Sequence, residues 1–329
     1  MTPIAPDVES LQPRSGRLSG VMSVPFGRVH LIADVLFIMV ATLSLAPLDA
    51  ADRVWLEPAR PTSSQSTWFP RSVEIVSGRI VAFDSQQLRL VREGQGTETV
   101  TSASRVLWIE PDEVSDLEQK LIHLFKQGEY ARSLSELPDA LNNRPPVWRQ
   151  QWLTMLSATS AWKSGNAKLA LELVGQLDRR PLPAMVLAWL PIAWTNGAQP
   201  AVVIATAQAR LQDTSTAVRL VAASWLLSSP DRNQGLAVIN QLKQDPRIEI
   251  AQIAEVLSWR MTPPPQVAKL SSTWEKRIDT LPLALQTGPS RLLVNKLEAS
   301  GQSESAKRLQ WSLELTPVYA LGQINQDQQ

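Results

Sequence analysis

The sequence predicts a mainly α-helical protein made of helix–turn–helix units, with a small antiparallel β module ahead of them. Two observations predict this fold. Helix-breaking residues recur at a nearly constant interval from residue 111 onward, and short runs of alternating apolar residues occupy residues 71–110. With 44% hydrophobic and 19% charged residues, the composition is that of an ordinary folded protein.

Residues 1–50 have the pattern of an export segment. The apolar run Val35–Ala46 follows Arg28 and His30, and small residues lead to Ala50. A basic region, a short apolar core and a small-residue exit are typical of a secretory signal peptide. We expect cleavage after Ala50, and a start at Met22 would give a leader of normal length.

The alternative for this segment is an uncleaved membrane anchor over residues 31–50. A spanning helix needs about 20 apolar residues, and the run is interrupted by Asp34 before it and by Pro47 after it. We therefore favour cleavage. Both alternatives predict an extracytoplasmic protein (periplasmic, envelope or secreted) that contacts a membrane only through this segment.

The β module is predicted to follow a linker. Residues 51–70 are rich in Pro, Ser, Thr and Arg, which is typical of a linker. Residues 71–110 contain four apolar runs separated by turn residues, and they predict strands near 73–83, 86–92, 97–101 and 104–109. A sheet this small can curl into a barrel that resembles an SH3-like or Sm-like fold, although no motif identifies one.

The helical region, residues 111–316, begins with signals for a helix start. Pro111 is followed by acidic residues, and Ser115 and Glu118 have the spacing of a capping box. Breaks between helices then follow at intervals of 37, 32, 32, 34 and 38 residues, and they fall at Gly128, Gly165, Gly197, Ser229, Pro263 and Gly301. The breaks predict six hairpins, at 112–141, 146–178, 182–212, 215–244, 247–279 and 289–315. Residues 317–329 are predicted to be a disordered tail.

The sequence around several of these breaks resembles the turn of tetratricopeptide repeats, whose period is about 34 residues. Phe125–Tyr130 (FKQGEY) matches that turn most closely, Trp162–Ala167 and Trp194–Gly197 follow the same plan, and Glu298–Gln302 is a weaker copy. The resemblance covers about residues 112–316. It implies a solenoid of stacked helix pairs that presents a surface for a peptide or a partner domain.

The residue inventory argues against catalysis and against several kinds of ligand. There is no cysteine, and the two histidines are His30 and His123, of which His123 lies in a helical pattern. We therefore expect no metal site, no cofactor and no enzymatic activity. The net charge is +1, without a basic run, so nucleic acid is not an expected partner.

Tryptophan is unusually frequent, with 12 residues against two tyrosines. Trp148, Trp152 and Trp162 share one helical stripe, which favours a role in the core between stacked hairpins. The alternative is a surface that binds a peptide or stacks on sugars. The candidate partner-binding residues under that alternative are Trp148, Arg149, Trp152, Trp189 and Trp194.

The function that we expect from these patterns is a non-catalytic scaffold for an unknown protein or peptide partner. The alternative is a tryptophan-rich protein that binds or supports a cell-envelope polysaccharide. A hydrolase with paired carboxylates is the third hypothesis, and no nucleophile elbow, metal motif or phosphate loop supports it.

Overall fold

The alternating apolar runs of the N-terminal module form an antiparallel sheet. The structure, a computed structural model, describes residues 51–59, 73–92 and 96–316, all within one compact unit. The predicted export segment 1–50 and the predicted tail 317–329 lie outside these residues. The strands are β1 (Asp52–Leu56), β2 (Glu74–Phe83), β3 (Gln87–Arg92), β4 (Glu98–Ser102) and β5 (Val106–Glu110).

The four predicted strands are confirmed, but the predicted linker 51–70 is wrong at its N-terminal end. Asp52–Leu56 form β1, which pairs with β2 on one side and with β5 on the other, in the order β4-β3-β2-β1-β5. The short run Val54–Leu56 precedes a proline-rich stretch, so the composition of the whole segment concealed a strand. A 3-10 helix, Ala103–Arg105, joins β4 to β5.

One side of the sheet contributes to the hydrophobic core. Val54, Leu56, Leu88 and Leu90 are each at most 3% exposed, and they belong to the same core cluster as the helices. Side chains on successive strand residues point to opposite faces, so Ile75 on β2 lies on the other side and is 58% exposed. The alternation that predicted these strands therefore reflects a sheet that is buried mainly on one face.

The rest of the described chain is mainly helical, and helices fall within all six predicted hairpins. The capping box predicted at Ser115 and Glu118 is present at the start of the first helix. Two further 3-10 helices occur at Trp259–Met261 and Leu283–Leu285. The helices are α1 (Asp116–Lys126), α2 (Tyr130–Ser135), α3 (Leu137–Asn142), α4 (Val147–Lys163), α5 (Ala167–Leu177), α6 (Ala184–Ala188), α7 (Ala201–Ala209), α8 (Thr216–Leu226), α9 (Arg232–Leu242), α10 (Ile248–Ser258), α11 (Pro264–Asp279), α12 (Thr287–Ala299) and α13 (Ser303–Glu314).

Three helix pairs share one turn geometry. Gly128, Gly165 and Gly301 have φ angles of 76°, 80° and 78°. In each turn, the next residue donates its backbone N–H to a carbonyl five residues earlier, at 2.8–2.9 Å. This combination is a Schellman motif, which needs a left-handed residue that glycine adopts at least cost. The recurring Gly-containing sequences at these three breaks thus have a common structural cause.

The third predicted hairpin, 182–212, departs from this plan. Helix α6 ends at Ala188, residues 189–200 contain no helix, and Gly197 is not among the glycines with positive φ. The predicted hairpin turn at Trp194–Gly197 is therefore wrong. Instead, α6 packs against β5 and against the 3-10 helix Leu283–Leu285.

That contact joins segments that are far apart in the sequence. Leu107 on β5, Leu283 and Ala284 are each 2% exposed and form a second core cluster, with Trp55 and Ala188 packed against it. Burying large apolar side chains stabilises a fold by about 1.5–3 kcal/mol each. The sheet is therefore held by a late segment as well as by the helices that follow it directly.

Candidate functional site

Two of the candidate partner-binding residues, Trp148 and Trp152, are core residues. Both lie on α4 and are 3% exposed. The ring of Trp152 packs 5.8 Å from that of Trp108 on β5. Neither ring has an accessible face, so the alternative that Trp148 and Trp152 bind a partner or a sugar is wrong. They lie in the core, where Trp152 connects α4 to the sheet.

Trp189 and Trp194 are half-buried and also serve packing. The Trp189 ring lies 4.9 Å from Trp108 and 6.2 Å from Phe125. Trp194 lies directly on the backbone of Gly288 at the start of α12, where an added Cβ would be 2.2 Å from the indole. These two rings connect the irregular third unit to the first and last helix pairs.

Arg149, the fifth candidate, ties the sheet to the first helices. Its side chain is 11% exposed and lies 3.8 Å from the Asp52 carboxylate and 3.7 Å from that of Glu118. It also donates to the backbone carbonyl oxygens of Asp112 and Glu113. With its guanidinium held by four groups of the same chain, Arg149 is a structural residue rather than an accessible contact.

The exposed tryptophan of the described chain is one that the sequence did not single out. Trp311 on α13 is 61% exposed, and Leu315, one turn later, is 51% exposed. No other tryptophan within the described ranges is classed as exposed. We call Trp311 and Leu315 the α13 face. Ion pairs flank it, with Arg308 bound to Glu275 at 2.9 Å.

A helical wheel would have identified this face. The core side of α13 carries Ala306 and Leu313, which are 1% and 5% exposed. Successive helical residues are about 100° apart, so Trp311 lies about 200° from Leu313, on the far side of the helix. A tryptophan opposite the apolar stripe of its own helix is the signal that the sequence contained.

A second feature is a pocket of about 320 Å³, which we call the cationic pocket. Four parts of the chain contribute to it. They are residues 189–200, which contain no helix and which we call the irregular loop, the segment between α10 and α11, and the helices α9 and α12. Among its lining residues that the structure describes, three are basic and none is acidic. The lining residues are Thr195, Asn196, Arg232, Arg260, Met261, Thr262, Pro263, Pro264, Leu292, Asn295, Lys296 and Ala299.

Arg260 is 4% exposed and, among the described residues, has no carboxylate partner. It donates to the carbonyl oxygens of Ala193 (2.8 Å) and Ser224 (2.7 Å), to Asn196 Oδ1 and to Ser228 Oγ. Burial lowers its pKa to about 10, so the guanidinium is still protonated at neutral pH. Its hydrogen bonds attach the irregular loop to the C-terminal end of α8. They also fix a buried positive charge in the wall of the pocket.

Lys296, on α12, is 8% exposed and lies beside Arg260. Its Nζ donates to the carbonyl oxygens of Arg260 and Thr262, at 2.5 and 2.9 Å. Burial, together with the neighbouring charge of Arg260, lowers the pKa of the ammonium. Arg232, at the start of α9, is exposed, and within the described ranges its side chain forms no hydrogen bond or ion pair.

His123 lies on α1, near its C-terminal end. Within the described ranges there is no group of three or more His, Cys, Asp or Glu side chains that could hold a metal ion, and no helix long and apolar enough to cross a membrane. Comparisons of the chain with protein-family models, with curated proteins and with solved structures find no match.

Proposed function

We propose that the protein is a non-catalytic, extracytoplasmic scaffold that binds another protein through the α13 face. The observation that carries this proposal is the exposure of Trp311, at 61%, in a chain whose other described tryptophans serve packing. A large aromatic side chain left in water costs free energy. A partner that covers it recovers that free energy, which is why tryptophan is enriched at interface hot spots.

The surroundings of Trp311 support a protein partner. Leu315 extends the apolar area by one helical turn, and the pairs Arg308–Glu275 and Lys307–Glu304 lie next to it. An apolar centre with a charged rim is the usual composition of a protein–protein contact. The partner that fits is a protein with an apolar patch or groove large enough for an indole.

The proposal includes a tetratricopeptide-like arrangement of the helices, an SH3-like fold of the sheet and export of the protein. The shared turn at Gly128, Gly165 and Gly301 supports a tetratricopeptide-like array that the third unit interrupts. The five-stranded order, with a 3-10 helix before the last strand, supports an SH3-like module. The pattern of residues 1–50 supports export. Terminal units of repeat arrays usually have a polar outer face, so an exposed indole on the last helix is a departure that a partner would explain.

The second candidate function is binding of a cell-envelope polysaccharide, because a flat exposed indole can also stack on a sugar ring. Trp311 is the described tryptophan that could do so. The two functions differ in what they require of the side chain. Stacking on sugars needs a flat ring, whereas a protein contact mainly needs buried apolar area.

The test compares Trp311 variants in capture from an envelope fraction and in co-sedimentation with insoluble envelope polysaccharide. We expect one protein to be retained by the wild type and by the control Val202→Ala, which alters another exposed apolar residue (67%). Trp311→Ala should lose that protein, and Trp311→Leu should keep part of the binding. Equal retention by Trp311→Ala would refute the proposal. Polysaccharide binding that Trp311→Phe keeps and Trp311→Leu loses would favour the second function.

A further inference from the structure

The cationic pocket has an unbalanced charge. Arg232, Arg260 and Lys296 line it, and no described lining residue carries a carboxylate. Within the described chain, the two buried cations donate to neutral oxygens only. Burying a charge is costly unless a partner of opposite sign compensates it. The carbonyl oxygens that hold Arg260 and Lys296 offset part of that cost, and an anion in the pocket would offset more.

Hydrogen-bond donors remain for such an anion. An ammonium group has three donors, and Lys296 Nζ uses two of them within the described chain. The guanidinium of Arg232 uses none there, and Asn295, which also lines the pocket, is exposed and forms no side-chain hydrogen bond with described residues. Arg260 differs, because its own donors are occupied, and it contributes charge rather than a contact.

The lining also indicates which anion fits. Phosphate sites in proteins usually surround the oxygens with backbone N–H groups at a helix start. Two helices begin at the pocket. Helix α11 starts with Pro264 and Pro265, which have no N–H. Helix α9 starts at Arg232, directly after Asp231, whose negative charge disfavours a phosphate at that helix end. Side-chain donors from two residues suit the two oxygens of a carboxylate. Met261, Leu292 and the neighbouring prolines form an apolar wall for the attached carbon atoms.

We propose that the cationic pocket binds an organic carboxylate, which contacts Lys296 and Arg232 while its apolar body lies against Leu292. This site is separate from the α13 face and does not depend on the proposed function. The carboxylate can belong to a small organic acid or to the C-terminus of a peptide, since both offer the same group. A short N-acetylated apolar dipeptide with a free C-terminus therefore serves as a second probe beside a simple fatty acid.

The experiment is isothermal titration calorimetry on the whole chain with hexanoate, the dipeptide, hexanamide and inorganic phosphate, all at one ionic strength. We expect saturable binding of hexanoate or the dipeptide, and at least about tenfold weaker binding of hexanamide, which lacks the charge. Tighter binding of the dipeptide would identify a peptide C-terminus as the source, and tighter binding of hexanoate a small organic acid. Equal binding of hexanamide, or equal binding of phosphate, would overturn the proposal, as would the absence of binding by both carboxylates.

Variants locate the site. Arg232→Gln should weaken carboxylate binding by about tenfold, because it removes one charged contact. The matched control is Arg180→Gln, which removes the same charge from another exposed arginine outside the pocket lining. Lys296→Met can disturb folding, because Nζ holds two carbonyl oxygens. Arg232→Gln is therefore the deciding variant, since the Arg232 side chain forms no hydrogen bond or ion pair with other described residues. Unchanged affinity in Arg232→Gln would contradict the proposed site.

Discussion

Arg149 on α4 lies 3.8 Å from the carboxylate of Asp52, the first residue of β1. Asp52 also accepts hydrogen bonds from the backbone N–H groups of Ile80 and Asp112, each at 2.9 Å. The pair therefore connects the first strand, the second strand and the start of the helical region at one buried point.

Arg149→Met should destabilise the protein by about 3–5 kcal/mol, because it leaves Asp52 and Glu118 buried without their cation. The control is Arg53→Met. Arg53 lies 4.0 Å from Glu110 with its side chain 65% exposed, and a surface pair of this kind contributes less than about 1 kcal/mol. Urea unfolding measures both. Equal effects of the two substitutions would contradict the structural role of Arg149.

The same substitution should change how stability depends on pH. Burial raises the pKa of Asp52 above its ordinary value of 3.8, and the charge of Arg149 opposes that rise. When the folded-state pKa is above the unfolded one, the neutral form favours folding. That contribution is fully present below the unfolded pKa and is lost as pH rises through the folded pKa.

Removal of Arg149 raises the Asp52 pKa further, so Arg149→Met should lose more stability relative to the wild type at neutral pH than in acid. Urea unfolding at about pH 4 and about pH 7 measures this difference. The control adds Asp52→Asn to both backgrounds, which should remove most of the pH dependence of the deficit. If the stability lost by Arg149→Met is the same at both pH values while Asp52 is unchanged, the charge of Arg149 does not control the pKa of Asp52.

Gly288→Ala should destabilise the contact between the irregular loop and α12. An added Cβ would lie 2.2 Å from the Trp194 ring, so the indole must move, at a cost of about 1–3 kcal/mol. Gly197→Ala is the control, because nothing lies within 4 Å of its added Cβ. Combining Gly288→Ala with Trp194→Leu should recover part of the loss. Thermal unfolding distinguishes these outcomes.

Gly165→Ala should cost about 1–2 kcal/mol, because alanine is strained at the φ of 80° that the turn between α4 and α5 requires. Gly165→Asn should cost less, since asparagine tolerates the left-handed region better. An added Cβ at Gly165 meets nothing within 4 Å, so crowding cannot explain a loss. If alanine and asparagine behave alike, the left-handed turn is not the cause.

Among the described tryptophans, Trp311 should contribute most to the quenching of fluorescence by iodide, because the other described rings are buried or half-buried. Trp311→Phe should remove a large part of the quenchable emission. Trp225→Phe, which alters a ring with 0% exposure, should leave the quenchable part unchanged. Quenching that Trp311→Phe does not reduce would place the indole in a protected environment.

Local patterns predicted the elements of this fold well. Alternation of apolar residues located β2 to β5, and the glycine spacing located the turns at Gly128, Gly165 and Gly301, because both signals depend on neighbouring residues. β1 was missed, since five residues before a proline-rich stretch offer little periodicity. Gly197 was misinterpreted because spacing alone does not show whether a glycine adopts a positive φ.

The candidate sites were harder to predict, because they depend on residues distant in the sequence. The sequence predicts Arg149 as a candidate partner-binding residue, because its buried partner Asp52 is distant in the chain. The cationic pocket combines Asn196, Arg260 and Lys296 from three parts of the chain, so no local motif indicates it. Trp311 differs, because its position opposite the core side of α13 was already present in the sequence.

The contact of Leu107 with Leu283 and Ala284 has a consequence for how this chain can be made and altered. An open repeat array can gain or lose a unit, since each unit touches only its neighbours. Here, Leu107 on the sheet packs against residues that are synthesised much later, so this contact cannot form until Leu283 and Ala284 have left the ribosome. Insertion or deletion of one helix pair between β5 and Leu283 would move Leu283 and Ala284 away from Leu107. The length of the helical region between β5 and Leu283 is therefore constrained by the sheet.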